Sequence, residues 1–135
     1  MNFLAALLAT SLPLLAQGAI TWEHDLASAQ KRALKERKPL FVDVWAEWCP
    51  PCQHLKNNVF PTPEAQKALS GYVPVSLMTE TKDRRPIPEN MKVAAQFKVE
   101  AYPTLLILDG QGKELKRQVG AFRTSVDLSA WLARK

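Results

Sequence analysis

Phe41-Val42-Asp43-Val44-Trp45-Ala46-Glu47-Trp48-Cys49-Pro50-Pro51-Cys52 carries the decisive pattern of this chain. From Leu40 to Ala46, branched and aromatic residues fill both alternating sets. Leu40, Val42 and Val44 make one set; Phe41, Asp43 and Trp45 make the other. Apolar residues on both sets predict a central strand covered on both faces. Asp43 is the misfit, since a carboxylate inside such a strand is costly unless it is protonated, paired or functional. Beyond the strand come the chain's only two cysteines, separated by Pro50 and Pro51. Proline suits the first turn of a helix, where its missing N–H would have had no partner. The spacing therefore predicts a helix with Cys49 at its N-cap and Cys52 one turn inside.

That placement has chemical consequences. A thiolate at a helix N-terminus is favoured by the positive end of the dipole and can accept a backbone N–H. Cys49 is then expected to be the exposed nucleophile. Cys52, on the inner side of the turn, attacks the resulting mixed disulfide and releases the substrate. Cys52 must lose its proton to do so, and Asp43 is the candidate acceptor, directly or through water. Because Pro50 and Pro51 lack N–H groups, only Cys52 can donate to the Cys49 sulfur within that turn. The Cys49 thiol pKa is thus expected to fall moderately, short of the strongly oxidising extreme. A static disulfide or a metal clip is the competing reading. A disulfide closing a four-residue loop removes only about 2 kcal/mol of unfolded-chain entropy. A zinc site needs four ligands, and beside the two cysteines the chain offers only His54 nearby and His24 far off in sequence. Redox chemistry is the expectation, with no metal and no organic cofactor.

The same residues resemble the active-site segment of the thioredoxin-like family. Asp43 falls on the family's buried aspartate, and Trp48 precedes the first cysteine. Ala101-Tyr102-Pro103-Thr104-Leu105 is similar to the family's cis-proline loop, with Pro103 at the cis position; a trans turn proline is the alternative there. The resemblance runs from Trp22 to Leu132. Within the family the chain looks most like the carboxy-terminal thioredoxin-like domain of the thiol:disulfide interchange protein DsbD and its soluble exported relatives. Phe60-Pro61-Thr62-Pro63-Glu64, the Gln66-Lys67-Ala68-Leu69 that follows, and Pro103-Thr104 leading into Leu108-Asp109-Gly110-Gln111-Gly112 carry that likeness.

The resemblance implies an α/β thioredoxin fold, a central mixed β-sheet flanked by helices on both faces. It implies thiol:disulfide oxidoreductase activity, with Cys49, Cys52 and Asp43 as the catalytic set. Trp48, Pro50, Pro51, Tyr102 and Pro103 would form the surface that docks protein dithiol or disulfide substrates, Tyr102 pairing its backbone with a substrate strand. The dipeptide between the cysteines lacks the histidine of strongly oxidising relatives. The expected direction is reduction of periplasmic protein disulfides, fed by a membrane thiol:disulfide electron donor and serving cytochrome c maturation. A disulfide-forming or isomerising enzyme is the alternative, as is a non-catalytic module that holds a client or copper. In many thioredoxins a lysine from the second strand lies near the buried aspartate. Val75 to Thr79 holds none, which leaves the proton affinity of Asp43 open.

Length and composition allow one domain with a real core: 135 residues, 47% hydrophobic. The formal charge of +5 comes from Lys and Arg scattered among acids, with no nucleic-acid motif. That favours a solvated basic surface over a nucleic-acid interface. Residues 1–18 read as a secretory signal peptide, uncharged from Phe3 to Ala16 and closing on small residues. Residues 19–135 then form the thioredoxin-like domain, exported to the periplasm. The early segment has no Lys or Arg, and an uncleaved anchor is the alternative. Its apolar run is shorter than the roughly 20 residues of a spanning helix, and Thr10, Ser11 and Pro13 interrupt it. No later segment could span a bilayer, so a soluble, monomeric domain is expected.

Helical spacing of Leu26, Ala29, Ala33 and Leu34 predicts a helix over 25–37, capped by Asp25, ended at Pro39, with all four in the core. The cysteine helix should run from Pro50 to Val59, with Pro61 and Pro63 breaking it. A second piece capped by Thr62 should reach Leu69, stopped by Gly71. Val73–Thr79 reads as a second parallel strand and Glu80–Pro88 as a solvated connector. Glu89–Phe97 reads as a helix with Met91, Ala94, Ala95 and Phe97 inward. Thr104–Leu108, the turn Asp109–Gly112 and Glu114–Val119 read as a hairpin. Thr124 and Asp127 make a capping box for a last helix bearing Leu128, Trp131 and Leu132.

Overall fold

A computed structural model describes residues 19–135; the segment 1–18, read as a signal peptide, lies outside the described residues. β1 (Leu40–Trp45) is buried at all six positions, as a strand apolar on both alternating sets must be. Its two sides seed two cores. Leu40, Val42 and Val44 pack with Ala29 and Ala33 of α1 (Leu26–Glu36), with Val73, Val75 and Leu77 of β2 (Val73–Met78), and with Ala94 of α4 (Pro88–Gln96). Phe41 faces the other way. It packs with Leu55, Val59 and Phe60 behind α2 (Pro50–His54), with Leu69 of α3 (Pro63–Leu69), and with Leu128 and Trp131 of α5 (Ser125–Ala133).

β1 pairs parallel with β2 and antiparallel with β3 (Thr104–Leu108), which pairs antiparallel with β4 (Glu114–Val119). The order β2-β1-β3-β4 makes a mixed four-stranded sheet between two helical layers. This is the thioredoxin fold that the resemblance implies. The lead-in chain covers the outer edge of β2, Glu23 N–H donating to the Pro74 carbonyl and Ser76 N–H to the Glu23 carbonyl, both at 2.8 Å. Trp22 seals the lead against Phe60, ring centroids 5.0 Å apart.

Local signals set most of the ends. Asp25 Oδ1 accepts from Ser28 N–H at 2.8 Å, which holds its carboxyl below the usual range. Thr62 Oγ1 accepts from Ala65 N–H, and Thr124 Oγ1 from Asp127 N–H, both at 3.2 Å. Asp127 accepts from the Thr124 hydroxyl at 2.9 Å rather than from the Thr124 backbone N–H, so only half of the expected capping box forms. The hairpin turns at Asp109, whose Oδ1 accepts from Gln111 and Lys113 N–H groups at 2.9 Å. Gly112 closes it with a φ of 88°, a conformation costly for any residue with a Cβ.

Three expectations need correction. Leu34 is 64% exposed, not a core residue. The buried seam of α1 runs through Ala29 and Ala33, and Leu34 leans beside it against the hairpin at Gly110, where an added Cβ would meet its Cδ2 at 3.2 Å. On α4 only Ala94 is buried; Met91 and Ala95 face solvent, with Val93 and Phe97 partly covered. The cysteine helix is α-helical only to His54, and Leu55–Val59 continue it as a π-helical turn. Phe60 N–H reaches back five residues to the Leu55 carbonyl at 2.8 Å, which brings Val59 and Phe60 together into the apolar layer.

Candidate active site

β1 ends at Trp45, which is held from the β2 side. Its indole N–H donates to Ser76 Oγ at 2.8 Å, and its carbonyl accepts from Thr79 N–H at 2.8 Å. The chain then turns through Ala46–Trp48, with Cys49 N–H on the Ala46 carbonyl at 3.1 Å, and enters α2. Cys49 is the N-cap, Pro50 and Pro51 fill the first turn, and Cys52 N–H donates to Cys49 Sγ at 3.4 Å. That single bond is the one the two prolines leave possible. Gln53 steadies the approach, its side-chain N–H on the Glu47 carbonyl at 2.8 Å.

Cys49 and Cys52 form a disulfide, with Cα atoms 5.3 Å apart. Cys49 is 3% exposed, which corrects the expectation of an open nucleophile. Trp48 and Tyr102 cover it, packed edge-to-face with centroids 6.2 Å apart. The Tyr102–Pro103 peptide is cis, and it brings the Tyr102 carbonyl oxygen to 3.7 Å from Cys49 Sγ. Pro103 itself is buried, while Pro50 and Pro51 lie exposed on the other flank of the sulfur. Two segments far apart in sequence, 48–52 and 102–103, thus meet at one sulfur atom.

Asp43 sits below this surface, opposite Ser76 and Leu105 in the sheet. It is 5% exposed, and its Oδ1 has no hydrogen-bond partner among the described residues. Burial alone pushes its pKa up to about 8. Ser76, the residue facing it on β2, spends its hydroxyl on the Trp45 indole instead. Asp43 forms part of the wall of a cleft of about 640 Å³, shared with Trp45, Lys56, Phe60, Ser76 and Asn90. The cation there comes from the helix rather than from β2: Lys56 Nζ lies 5.2 Å over the Trp45 ring. Burial thus brings the Asp43 carboxyl into the range where an ordinary thiol titrates.

His54 serves elsewhere. Asn58 donates to its Nδ1 at 3.2 Å, so Nε2–H donates to the Arg123 carbonyl at 2.9 Å. Among the described residues no three His, Cys, Asp or Glu side chains converge as metal ligands.

Sequence reasoning missed the loop over the site. The segment read as a solvated connector is fastened to the cysteine turn. Trp48 Nε1–H donates to Glu80 Oε2 at 3.1 Å, Lys82 N–H donates to Glu47 Oε1 at 2.8 Å, and Arg84 stacks on the Trp48 ring. The available signal was topological, since this loop leaves the carboxyl end of β2, the same end of the sheet as Cys49.

The thiol:disulfide interchange protein DsbD of Escherichia coli O6:H1 is 32% identical over 77 residues, 57% of this chain and 13% of that one. The chain spans less than a fifth of the length of the DsbD proteins it matches. A solved DsbH oxidoreductase superposes with a TM-score of 0.69 at 20% identity, covering 95% of this chain and 94% of the other. The reduced C-terminal domain of DsbD from Neisseria meningitidis does so with a TM-score of 0.64 at 20% identity, covering 78% and 90%. At those identities the superpositions speak for the fold alone. The family described as the thioredoxin-like domain matches residues 26–135, which include every residue of the site described above, and the chain belongs to that family.

Proposed function

We propose that the chain is an exported thiol:disulfide oxidoreductase that reduces protein disulfides in the periplasm. One observation carries the reading: the cysteine pair at the head of α2, its first sulfur beside the Tyr102 carbonyl and the cis-Pro103 turn. The relation to DsbD supports thiol–disulfide exchange in general.

In the dithiol state the Cys49 thiolate attacks one sulfur of the partner's disulfide. That S–S bond breaks, a Cys49–partner disulfide forms, and the leaving sulfur takes a proton. Asp43, in its ionised fraction, accepts the Cys52 proton directly or through water. The Cys52 thiolate attacks Cys49 Sγ, the mixed disulfide breaks, and the partner departs as a dithiol. Two electrons pass to the partner and the Cys49–Cys52 disulfide remains. A membrane dithiol donor restores the starting state. Trp48, Pro50, Pro51 and Tyr102 form the docking surface, with the buried Pro103 shaping it from behind, and the Tyr102 backbone pairs with an extended partner segment. Residues 1–18 act as the export signal, 19–135 work as a monomer, and disulfides of cytochrome c maturation fall within the substrate class.

Insulin reduction with dithiothreitol as the electron donor tests the activity. Precipitation of the freed B chain is expected well ahead of the donor alone; no acceleration contradicts the reading.

A further inference from the structure

Resting on that reading, we propose that Arg84 is a carboxylate reader on the docking surface, selecting disulfide partners that carry an acidic residue beside the attacked cysteine. The Arg84 guanidinium carbon lies 4.2 Å from the centre of the Trp48 ring. Trp48 directly precedes Cys49, and its ring packs on Tyr102, whose carbonyl oxygen lies beside Cys49 Sγ. Trp48 and Tyr102 therefore lie between the guanidinium and the reacting sulfur.

The loop is built to hold Arg84 there. Its φ of 64° is left-handed, unfavourable for a residue with a Cβ unless its surroundings impose it. Arg84 N–H donates to the Thr81 carbonyl and Thr81 N–H to the Arg85 carbonyl, both at 2.9 Å. Arg85 N–H donates to Thr81 Oγ1 at 3.1 Å. The bonds from Lys82 N–H to Glu47 and from Trp48 to Glu80 then tie this turn to the cysteine loop.

The charges around it are uneven. Arg85 pairs with Asp83 at 2.8 Å, and Glu80 accepts from the Trp48 indole. Among the described residues no carboxylate lies within ion-pair reach of Arg84. The guanidinium lies over the Trp48 ring and makes no hydrogen bond or ion pair among the described residues, and its planar fork of N–H groups matches a carboxylate with two parallel bonds.

The test is single-turnover reduction, by protein pre-reduced and freed of reductant, of quenched disulfide peptides that differ only in an Asp, Asn or Lys next to one cysteine. At low salt the Asp peptide is expected to react about tenfold faster than the Asn peptide. Arg84→Asn tolerates the left-handed conformation and should bring that ratio below about twofold. Arg84→Lys should fall between, because it keeps the charge without the fork. Arg85→Gln removes the same charge next door and should leave the ratio at the wild-type value. An equal ratio in wild type and Arg84→Asn, or an equal loss in Arg85→Gln, overturns the proposal. No reaction with any peptide overturns the reductase reading and takes this inference with it.

Discussion

Asp43→Asn is expected to raise stability by about 3 kcal/mol at pH 8 and to flatten its dependence on pH. Burial lifts the Asp43 carboxyl to about 8, roughly 5 kcal/mol of extra proton affinity over an unfolded aspartate. Below pH 4 both states hold the proton, and this stabilisation is fully present. Between 4 and 8 the unfolded chain releases its proton while the folded chain keeps it, so the native state loses stability as pH rises. Asparagine cannot ionise and removes that term, at the cost of an amide with few partners, which is why the net gain falls below 5 kcal/mol. Chemical denaturation at pH 4, 6 and 8 reads it out. The same variant should slow resolution of the mixed disulfide by about a hundredfold, the usual loss when a general base is removed. Equal pH slopes in the two proteins would show that Asp43 ionises freely in the fold.

Cys52→Ser should abolish turnover, by roughly a thousandfold or more, while Cys49 still attacks. Serine keeps the N–H that caps Cys49 but cannot displace the partner, so a Cys49-linked mixed disulfide accumulates. Cys49→Ser should lose turnover as completely and trap nothing. Non-reducing electrophoresis and intact mass distinguish the two. Trapping by Cys49→Ser instead would assign the nucleophile to Cys52 and reverse the roles.

What the chain revealed before its structure was known follows physical lines. The double-sided burial of β1 was legible because Leu40–Trp45 needs apolar cover on both alternating sets, and both cores supply it. The N-caps at Asp25, Cys49, Thr62 and Thr124 were legible because capping is decided within four residues. Leu34 and Met91 misled because helical spacing gives a face but not what lies opposite it. The π-helical turn after His54 left no mark, since its register is set by where Phe60 packs, against Trp22 and Phe41. At the site the same division holds. The cysteines, Asp43 and Pro103 stand in recognisable segments. The cover over Cys49 and the grip of the 80–85 loop on Trp48 depend on side chains that only the fold brings together.

The proposed function requires Cys49 and Cys52 to be a reducing dithiol. One backbone N–H reaches the Cys49 sulfur, and the two residues between the cysteines offer neither N–H nor a cationic side chain to stabilise a thiolate. A weakly stabilised thiolate makes a strong reductant. Equilibration of the pair against glutathione, read by thiol alkylation and mass, should give a midpoint near that of thioredoxin, about −270 mV. A midpoint near −120 mV, the strongly oxidising end, would contradict it.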